Sequence, residues 1–236
     1  MPNLKIAIMQ PTFLPWIGYF DLIDSVQQFV FLDSVQFSKQ SWQQRNRLKS
    51  SNGPLWQSVP VLTKGRFGQT IMDVEIDQKK NFAEKQIKTI MQLYRGAKYF
   101  DIYIDGIEGI LARRHKLLVD LNIDFIEWIS QQLGLPAKFL RSSCLDIQGD
   151  RVERVVSICK RLGADQYLSP EGSRQYIDED NLFDSNGIEL EYHMFDHPEY
   201  QQLYGPFAPY MSIVDLMFNE GPASLGIIRQ GRIECE

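Results

Sequence analysis

The stretch LKIAIMQPTFLPWIGYFDLIDSVQQFVFLD, residues 4–33, predicts a β-strand, a helix and a second β-strand in succession. Residues 4–9 and 28–33 are short apolar runs, and the second run ends on the carboxylate of Asp33. Two prolines in the loop between the runs keep the chain out of a helix until Trp16, where apolar residues begin to recur at helical spacing. A strand, a helix and a strand in this order favour a parallel sheet.

The rest of the chain extends this pattern to an α/β fold. Turn residues at Asn52-Gly53 separate two strand-like arms, and residues 71–76 alternate apolar and polar side chains like a further strand. Helical periodicity follows, and then strands and helices alternate again. We expect a mainly parallel sheet with flanking helices, an antiparallel hairpin insert near residues 42–76, a helical middle segment at 80–134, and one domain over 1–236.

Capping residues mark the ends of several predicted helices. Asp150 and Ser212 are candidates for the N-cap, and Asp215 lies three residues after Ser212, where a capping box places its carboxylate. Gly134 and Gly163 follow apolar helical runs, and glycine favours the left-handed conformation that ends a helix.

The composition is that of a folded, acidic protein. The 236 residues carry 25 Lys and Arg against 30 Asp and Glu, a formal net charge of −5, and 44% of them are hydrophobic. Such a chain is a poor binder of nucleic-acid polymers, because a phosphate backbone demands a basic face. The three cysteines form no C-x-x-C pair, which argues against a disulfide framework or a cysteine-bound zinc. Phosphate-loop, dinucleotide-binding and nucleophile-elbow motifs are absent from the sequence, so the cofactor is left unassigned.

The N-terminal sequence indicates a soluble, cytoplasmic protein. It contains no long apolar segment of the kind that secretory signals carry. The most apolar stretch, residues 13–20, is far shorter than the roughly 20 residues that a membrane-spanning helix needs. We therefore expect no membrane insertion, and the sequence leaves the oligomeric state open.

The loop after the first strand is the most unusual local feature of the chain. Ligands of open α/β sheets bind beyond the carboxyl ends of the strands, where this loop lies. Gln10 offers an amide, Trp16 and Tyr19 offer aromatic faces, and Gly18 permits close approach of other groups to the backbone. The segment is faintly similar to the His-x-Gly-His loop of nucleotidylyltransferases but lacks both histidines. The alternative is that its apolar residues belong to the core.

A polar segment after the second strand offers a cluster of cations. If Arg45 and Arg47 lie on a strand, their side chains share one face, and two guanidinium groups there suit a phosphate or a carboxylate. The alternative is a solvated hairpin face whose arginines pair with Asp or Glu. The same part of the sequence supplies Gln36, Ser41, Trp42 and Asn46 as ligand-binding candidates. The basic residues from 39 to 66 are Lys39, Arg45, Arg47, Lys49, Lys64 and Arg66, and no Asp or Glu lies among them.

Proton transfer is assigned to Asp33 or His197. His193 and His197 are four residues apart, but a predicted strand ends at His193 and Pro198 follows His197, so helical spacing is absent and no metal site is predicted. Three more ligand-binding candidates lie in loops or at helix ends farther along the chain: Ser169, Tyr200 and Asn219.

Several long motifs resemble the WbqC-like family over nearly the whole chain. They are IMQPTFLPWIGYF at 8–20, FLDSVQFS at 31–38, SWQQRNR at 41–47, PEYQQL at 198–203 and SIVDLMFNEG at 212–221. The resemblance implies a place in bacterial O-antigen or other surface-polysaccharide biosynthesis. Ser34 departs from the Asp that the family pattern leads us to expect, which weakens a paired-carboxylate role for Asp33.

The leading hypothesis is a transferase that adds an acyl or aminoacyl group to an amino or deoxy sugar, possibly nucleotide-linked. Its ligand is then a small anionic or sugar-type molecule. The alternatives are a non-catalytic binding or assembly protein of the same pathway and a degenerate nucleotidylyltransferase-like enzyme that activates a carboxylate. The expected roles are anion binding by Arg45, Arg47 and Lys64, orientation by Gln10, Ser41 and Asn46, and stacking by Trp16 and Trp42.

Overall fold

The predicted strand–helix–strand unit at the start of the chain is confirmed. The computed structural model describes residues 4–147, 149–177 and 181–233. Strand β1 (Lys5–Met9) leads through helix α1 (Ile17–Asp24) to strand β2 (Gln28–Phe31). The two strands are parallel, with Ile6 opposite Gln28. Helix α1 begins directly after Trp16, as the two prolines of the preceding loop require.

The remaining elements complete an α/β architecture. The strands are β3 (Arg45–Ser50), β4 (Gly53–Ser58), β5 (Lys138–Arg141), β6 (Gln166–Pro170), β7 (Glu189–Phe195) and β8 (Arg232–Ile233). The helices are α2 (Phe82–Tyr94), α3 (Phe100–Ala112), α4 (Leu118–Leu133), α5 (Arg151–Leu162), α6 (Arg174–Ile177), α7 (Leu182–Ser185), α8 (Ile213–Glu220) and α9 (Ser224–Gln230). In the described part of the chain, no helix combines the length and the apolar character needed to cross a bilayer.

The main sheet has the strand order β5-β2-β1-β6-β7-β8. All neighbouring strands are parallel except β7 and β8, and β3 pairs with β4 as the separate antiparallel hairpin that the turn residues predict. The chain builds the sheet outward from β1 through β2 to β5, and then crosses to β6 on the other side of β1. The carboxyl ends of β1 and β6 therefore mark the point where the direction of winding reverses, which is where doubly wound sheets bind ligands.

Both faces of the sheet are buried, because apolar side chains project from each of them. Ala7 and Phe29 face the larger core, which packs against α1 to α4, α8 and α9. Ile6, Ile8 and Val30 face the smaller core, which packs against α5, α6 and α7. Because successive side chains of a strand point to opposite faces, one apolar run serves both cores.

Three local predictions need correction. Residues 71–76 do not form a strand, because a 3₁₀ turn starts at Ile71 and places Ile71 and Val74 together in the core. Asp150 does occupy the predicted N-cap position of α5, but its side chain makes no capping hydrogen bond. Ser212 does cap α8 by accepting a hydrogen bond from the amide of Val214, whereas Asp215 turns inward and completes no capping box. Gly134 and Gly163 end their helices in the left-handed conformation, as predicted.

Candidate ligand-binding site

A cavity of about 370 Å³ lies at the carboxyl end of β1, beside the point where the winding of the sheet reverses. Its volume lies near the lower end of the range of about 300–1,000 Å³ that is typical of small-molecule sites. Aromatic rings form most of the wall, and one guanidinium group is the cation at its edge. The lining residues are Met9, Thr12, Trp16, Tyr19, Trp42, Asn46, Arg47 and Tyr210.

The sequence predicts most of this lining and misses part of it. Five predicted residues come together here, although two segments of the chain supply them: Trp16, Tyr19, Trp42, Asn46 and Arg47. Met9 and Thr12 belong to the same strand and loop as Trp16, so the predicted position of that loop already indicates them. Tyr210 lies 163 residues from Arg47, and no local pattern connects the two.

Asn46 holds the loop that forms the rim of the cavity. We call residues 10–16 the rim loop. The buried Asn46 side chain donates through Nδ2 to the carbonyl oxygens of Phe13 at 3.3 Å and Leu14 at 2.8 Å. Leu14 has a backbone φ of +42°, a value that residues other than glycine rarely adopt. The hydrogen bond to its carbonyl therefore helps to fix a strained backbone. The Asn46 amide nitrogen that was expected to orient a ligand is therefore engaged by the rim loop.

Gln10 and its neighbours fix the start of the rim loop in the same way. The side-chain carbonyl of Gln10 accepts a 2.7 Å hydrogen bond from Gln43, and its backbone carbonyl accepts one from the Tyr19 hydroxyl at 3.2 Å. Asn122 on α4 donates to the backbone carbonyls of Pro11 and Gln43 at 3.1 and 2.8 Å. Hydrogen bonds within the protein thus hold the cavity rim in one conformation, and such preorganisation lowers the entropy cost of binding.

Gly18 allows the Trp16 ring to fold back onto the start of α1. A Cβ atom at position 18 would lie 2.4 Å from Cη2 of Trp16, so any larger residue displaces this ring. The group that approaches Gly18 in the structure is the indole of Trp16.

Arg45 and Arg47 share one face of β3, as the strand period predicts. Arg47 lies opposite Trp56 of β4, and its guanidinium stands 5.6 Å from the ring centres of Trp42 and Trp56. Nη2 of Arg47 donates to the carbonyl of Tyr210 at 3.1 Å, while its buried Nε has no hydrogen-bond partner. Among the residues that the structure describes, no carboxylate forms a salt bridge with Arg45 or Arg47, so the expected alternative of paired arginines is not observed.

His197 packs against the outside of the cavity wall. Its ring stacks on Trp16 with 6.1 Å between centroids and meets Tyr210 edge-on at 5.2 Å, but it does not line the cavity. Nδ1 lies 3.0 Å from the carbonyl of Pro198, and since a carbonyl only accepts, Nδ1 carries the proton. The buried Nε2 then holds a lone pair with no hydrogen-bond partner among the described residues.

The packing of His197 should make folding stability depend on pH. Burial lowers the pKa of His197 from its ordinary value of 6.5, so the unfolded chain takes up this proton at a higher pH than the folded one. Between the two pKa values the unfolded state binds more protons, and the free energy of unfolding falls as the pH drops. Urea denaturation at about pH 7.5 and about pH 5.5 measures the free energy of unfolding at each pH. Its decrease from the higher to the lower pH should be larger for the wild type than for His197→Phe. Equal losses in the two proteins would contradict this assignment.

Asp33 lies apart from the cavity lining. Its buried carboxylate accepts hydrogen bonds from the Ser142 hydroxyl at 3.0 Å and from the amide and hydroxyl of Ser143 at 2.9 and 2.8 Å. These bonds tie the end of β2 to the end of β5.

Apart from Gln10 and Arg45, six other predicted binding residues stand outside the lining. Gln36 is exposed and pairs with Thr70 through an isolated bridge, and Lys64 is exposed in the loop that follows the hairpin. The Ser41 hydroxyl donates to the carbonyl of Ser38 at 2.6 Å. Ser169 is buried at the end of β6, with its hydroxyl 3.2 Å from that of Ser173. The remaining two, Tyr200 and Asn219, both bond to Asp215.

Asp215 organises a buried polar network behind the cavity. Its carboxylate accepts hydrogen bonds from the hydroxyls of Tyr94 at 2.7 Å and Tyr200 at 2.8 Å and from Nε2 of Gln202 at 2.8 Å. Burial nevertheless raises the pKa of Asp215, because desolvation outweighs these donors. Lys49, also buried, bonds to the side chain of Gln202 at 2.9 Å and to the carbonyl of Pro206.

This network holds a long loop in place. We call residues 196–212 the capping loop. The side chain of Gln202 bonds to the backbone of Ala208 in both directions, and the amide of Ser212 donates to the carbonyl of Arg47 at 2.8 Å. The capping loop carries Tyr210 to the cavity, so the network positions a wall of the site that the local sequence does not reveal.

A metal centre is not formed by the residues that the structure describes. No group of three or more His, Cys, Asp and Glu side chains converges in those ranges. His193 bonds instead to Asp21 of α1, with 2.8 Å between Nε2 and the carboxylate.

Comparison with known proteins places the chain in a family. The model of the WbqC-like protein family matches residues 10–227. The chain is also similar to an uncharacterized protein of Mycobacterium tuberculosis (strain ATCC 25618 / H37Rv), Rv1507c, with 35% identity over 230 residues that cover 97% of this chain and 99% of that protein. No solved structure matches at a significant level. The family match spans the rim loop, the hairpin and the capping loop, and this chain therefore belongs to the WbqC-like protein family.

Proposed function

We propose that this protein is a transferase of bacterial surface-polysaccharide biosynthesis that adds an acyl or aminoacyl group to a nucleotide-linked amino or deoxy sugar. The observation that carries the proposal is the composition of the cavity wall, where aromatic faces surround the opening and Arg47 stands at its edge. Sugar rings present C–H groups that pack on aromatic faces, and a guanidinium group matches the oxygens of a phosphate.

The bonding of Arg47 supports a role in anion binding. A guanidinium group offers five N–H donors, and Arg47 uses one of them on the carbonyl of Tyr210. With no carboxylate in the described chain paired to it, the positive charge is available to a phosphate of the ligand. The position at the carboxyl ends of parallel strands supports a nucleotide-linked ligand, since doubly wound sheets bind nucleotides there.

The transfer itself needs an activated acyl donor such as a thioester. The amine nitrogen of the sugar attacks the carbonyl carbon, the C–N bond forms, the C–S bond breaks, and the proton of the amine finally reaches the released thiolate. Neither of the two groups assigned to proton transfer lines the cavity, although the ring of His197 packs on Trp16 and Tyr210 of its wall. Both carboxylate oxygens of Asp33 already accept hydrogen bonds.

A non-catalytic binding protein of the same pathway is the second candidate. The observation that favours it is that the described cavity lining contains no carboxylate, imidazole or thiol. The test is to incubate purified protein with a sugar nucleotide and a thioester and to look for the acylated sugar by mass spectrometry. Formation of that product excludes a non-catalytic protein. Tight binding of the sugar nucleotide without any product in the same assay favours it.

Removal of the Arg47 guanidinium should weaken ligand binding strongly. We expect at least one member of a panel of UDP-, dTDP- and GDP-linked amino and deoxy sugars to raise the melting temperature of the wild type. Arg47→Ala should weaken the binding of that sugar nucleotide by roughly tenfold to hundredfold, which is the affinity that one charge-assisted hydrogen bond contributes. Arg47→Lys should recover part of the lost affinity. Lys80→Ala, which removes an exposed cation from another part of the chain, is the matched control. The proposal fails if no sugar nucleotide shifts the wild type, or if Arg47→Ala retains the full shift.

A further inference from the structure

Four side chains, three on the hairpin and one just before β3, form a contiguous cluster of two rings and two cations. Trp42 and Trp56 touch, with 5.3 Å between their ring centroids, and the guanidinium of Arg47 stands 5.6 Å from both rings. Arg45 lies over Trp56 at 4.4 Å from its centroid. We call these four residues the Trp–Arg ladder.

The rings of the ladder are exposed, and no carboxylate of the described residues forms a salt bridge with its two arginines. Trp42 is 47% and Trp56 is 45% exposed, although large aromatic side chains ordinarily contribute to a core. Its two arginines form no salt bridge within the described residues, whereas Arg66, Arg141 and Arg232 each reach a carboxylate at 2.6–3.2 Å. Residues 34–72 contain no Asp or Glu, so no acidic side chain of that segment offsets the charge.

The ladder continues the wall of the cavity. Trp42 and Arg47 line the cavity, while Trp56 and Arg45 carry the same surface outward along the hairpin. Cross-strand pairing places these side chains side by side on one face, because Arg47 lies opposite Trp56 and Arg45 follows at the next position of that face, opposite Ser58. A molecule that enters the cavity with one end therefore meets the ladder with the other.

We propose that the Trp–Arg ladder is a second binding subsite, which holds the nucleoside diphosphate part of the ligand while the sugar occupies the cavity. This inference rests on the proposed function of the cavity and adds Trp56 to the residues of the site. The diphosphate lies against the guanidinium groups of Arg47 and Arg45. The base stacks on the outer surface of the indoles, since the two rings already contact each other and leave no space between them.

The sizes of the two subsites fit this division. A cavity of about 370 Å³ holds a substituted sugar ring, and a whole sugar nucleotide needs additional surface outside it. Stacking on tryptophan is tolerant of base identity, because every base presents a π-face. The ladder is thus expected to accept nucleoside diphosphates with different bases, and discrimination between sugars falls to the cavity.

Calorimetric titration with UDP and with ADP tests the ladder directly. We expect both nucleotides to bind the wild type, and Trp56→Ala and Arg45→Ala each to weaken both by about tenfold. Phe67→Ala removes an aromatic ring that is 95% exposed in the same acid-free segment but outside the ladder, and it should leave both affinities within about twofold. Trp56 is exposed, so its variant should keep the melting temperature of the wild type, which is measured alongside.

A second comparison separates the ladder from the cavity. The sugar nucleotide that gives the largest thermal shift should bind more weakly to both Trp16→Ala and Trp56→Ala, whereas UDP should lose affinity only in Trp56→Ala. The subsite is overturned if UDP and ADP fail to bind, or if they bind Trp56→Ala as tightly as the wild type, whatever the cavity variants show. If UDP and ADP bind through Trp56 but no sugar nucleotide does, the proposed function fails and the nucleotide subsite stands.

Discussion

Asp215→Ala should lower the free energy of unfolding by about 3–5 kcal/mol. The substitution removes the acceptor of the buried hydroxyls of Tyr94 and Tyr200 and one acceptor of Nε2 of Gln202, which is half-buried. Each buried donor that loses its partner costs about 1–3 kcal/mol, and the costs overlap because the donors share one site. Chemical denaturation followed by circular dichroism measures the change.

Two further variants sharpen the test of Asp215. Asp215→Asn keeps one acceptor oxygen and removes a charge that burial already disfavours, so we expect it to cost less than Asp215→Ala. Asp101→Ala removes an exposed carboxylate from the first turn of α3 and should stay within about 0.5 kcal/mol of the wild type. A cost below about 1 kcal/mol for Asp215→Ala would show that the network does not hold the capping loop.

Asn46→Ala should cost about 2–4 kcal/mol and also disturb the cavity. It removes the donor from the carbonyls of Phe13 and Leu14 and frees a rim loop whose backbone is strained at Leu14. The same wall carries Trp16, so we expect sugar-nucleotide affinity to fall together with stability. Urea denaturation measures the change in the free energy of unfolding. Calorimetric titration at a temperature where the variant is folded measures the change in sugar-nucleotide affinity.

The control for Asn46 lies on the same hairpin. Asn52 is exposed in the turn between β3 and β4, and Asn52→Ala should change the free energy of unfolding by no more than about 0.5 kcal/mol. If Asn46→Ala unfolds with the stability of the wild type, the strain at Leu14 is held by other contacts, and the rim does not depend on Asn46.

Much of the architecture and part of the site follow from the sequence by itself. Apolar runs of residues 4–9 and 28–33, joined through a proline-limited loop, determine a parallel start to the sheet, because period and turn chemistry are local properties. The alternation of β3 determines that Arg45 and Arg47 share a face. A loop at the carboxyl end of a parallel strand also indicates where a ligand binds, and the cavity lies there.

Only the tertiary structure decided which polar groups meet. Asp33 finds its partner at Ser142, 109 residues away, and Tyr94 reaches Asp215 across 121 residues. Tyr210 joins the cavity because a buried network fixes the capping loop, and no periodic pattern marks that loop in advance. The physical reason is that an apolar residue requires only burial, which a repeating pattern reveals. A buried polar group instead requires a particular partner, and the folded chain alone brings that partner within hydrogen-bond distance.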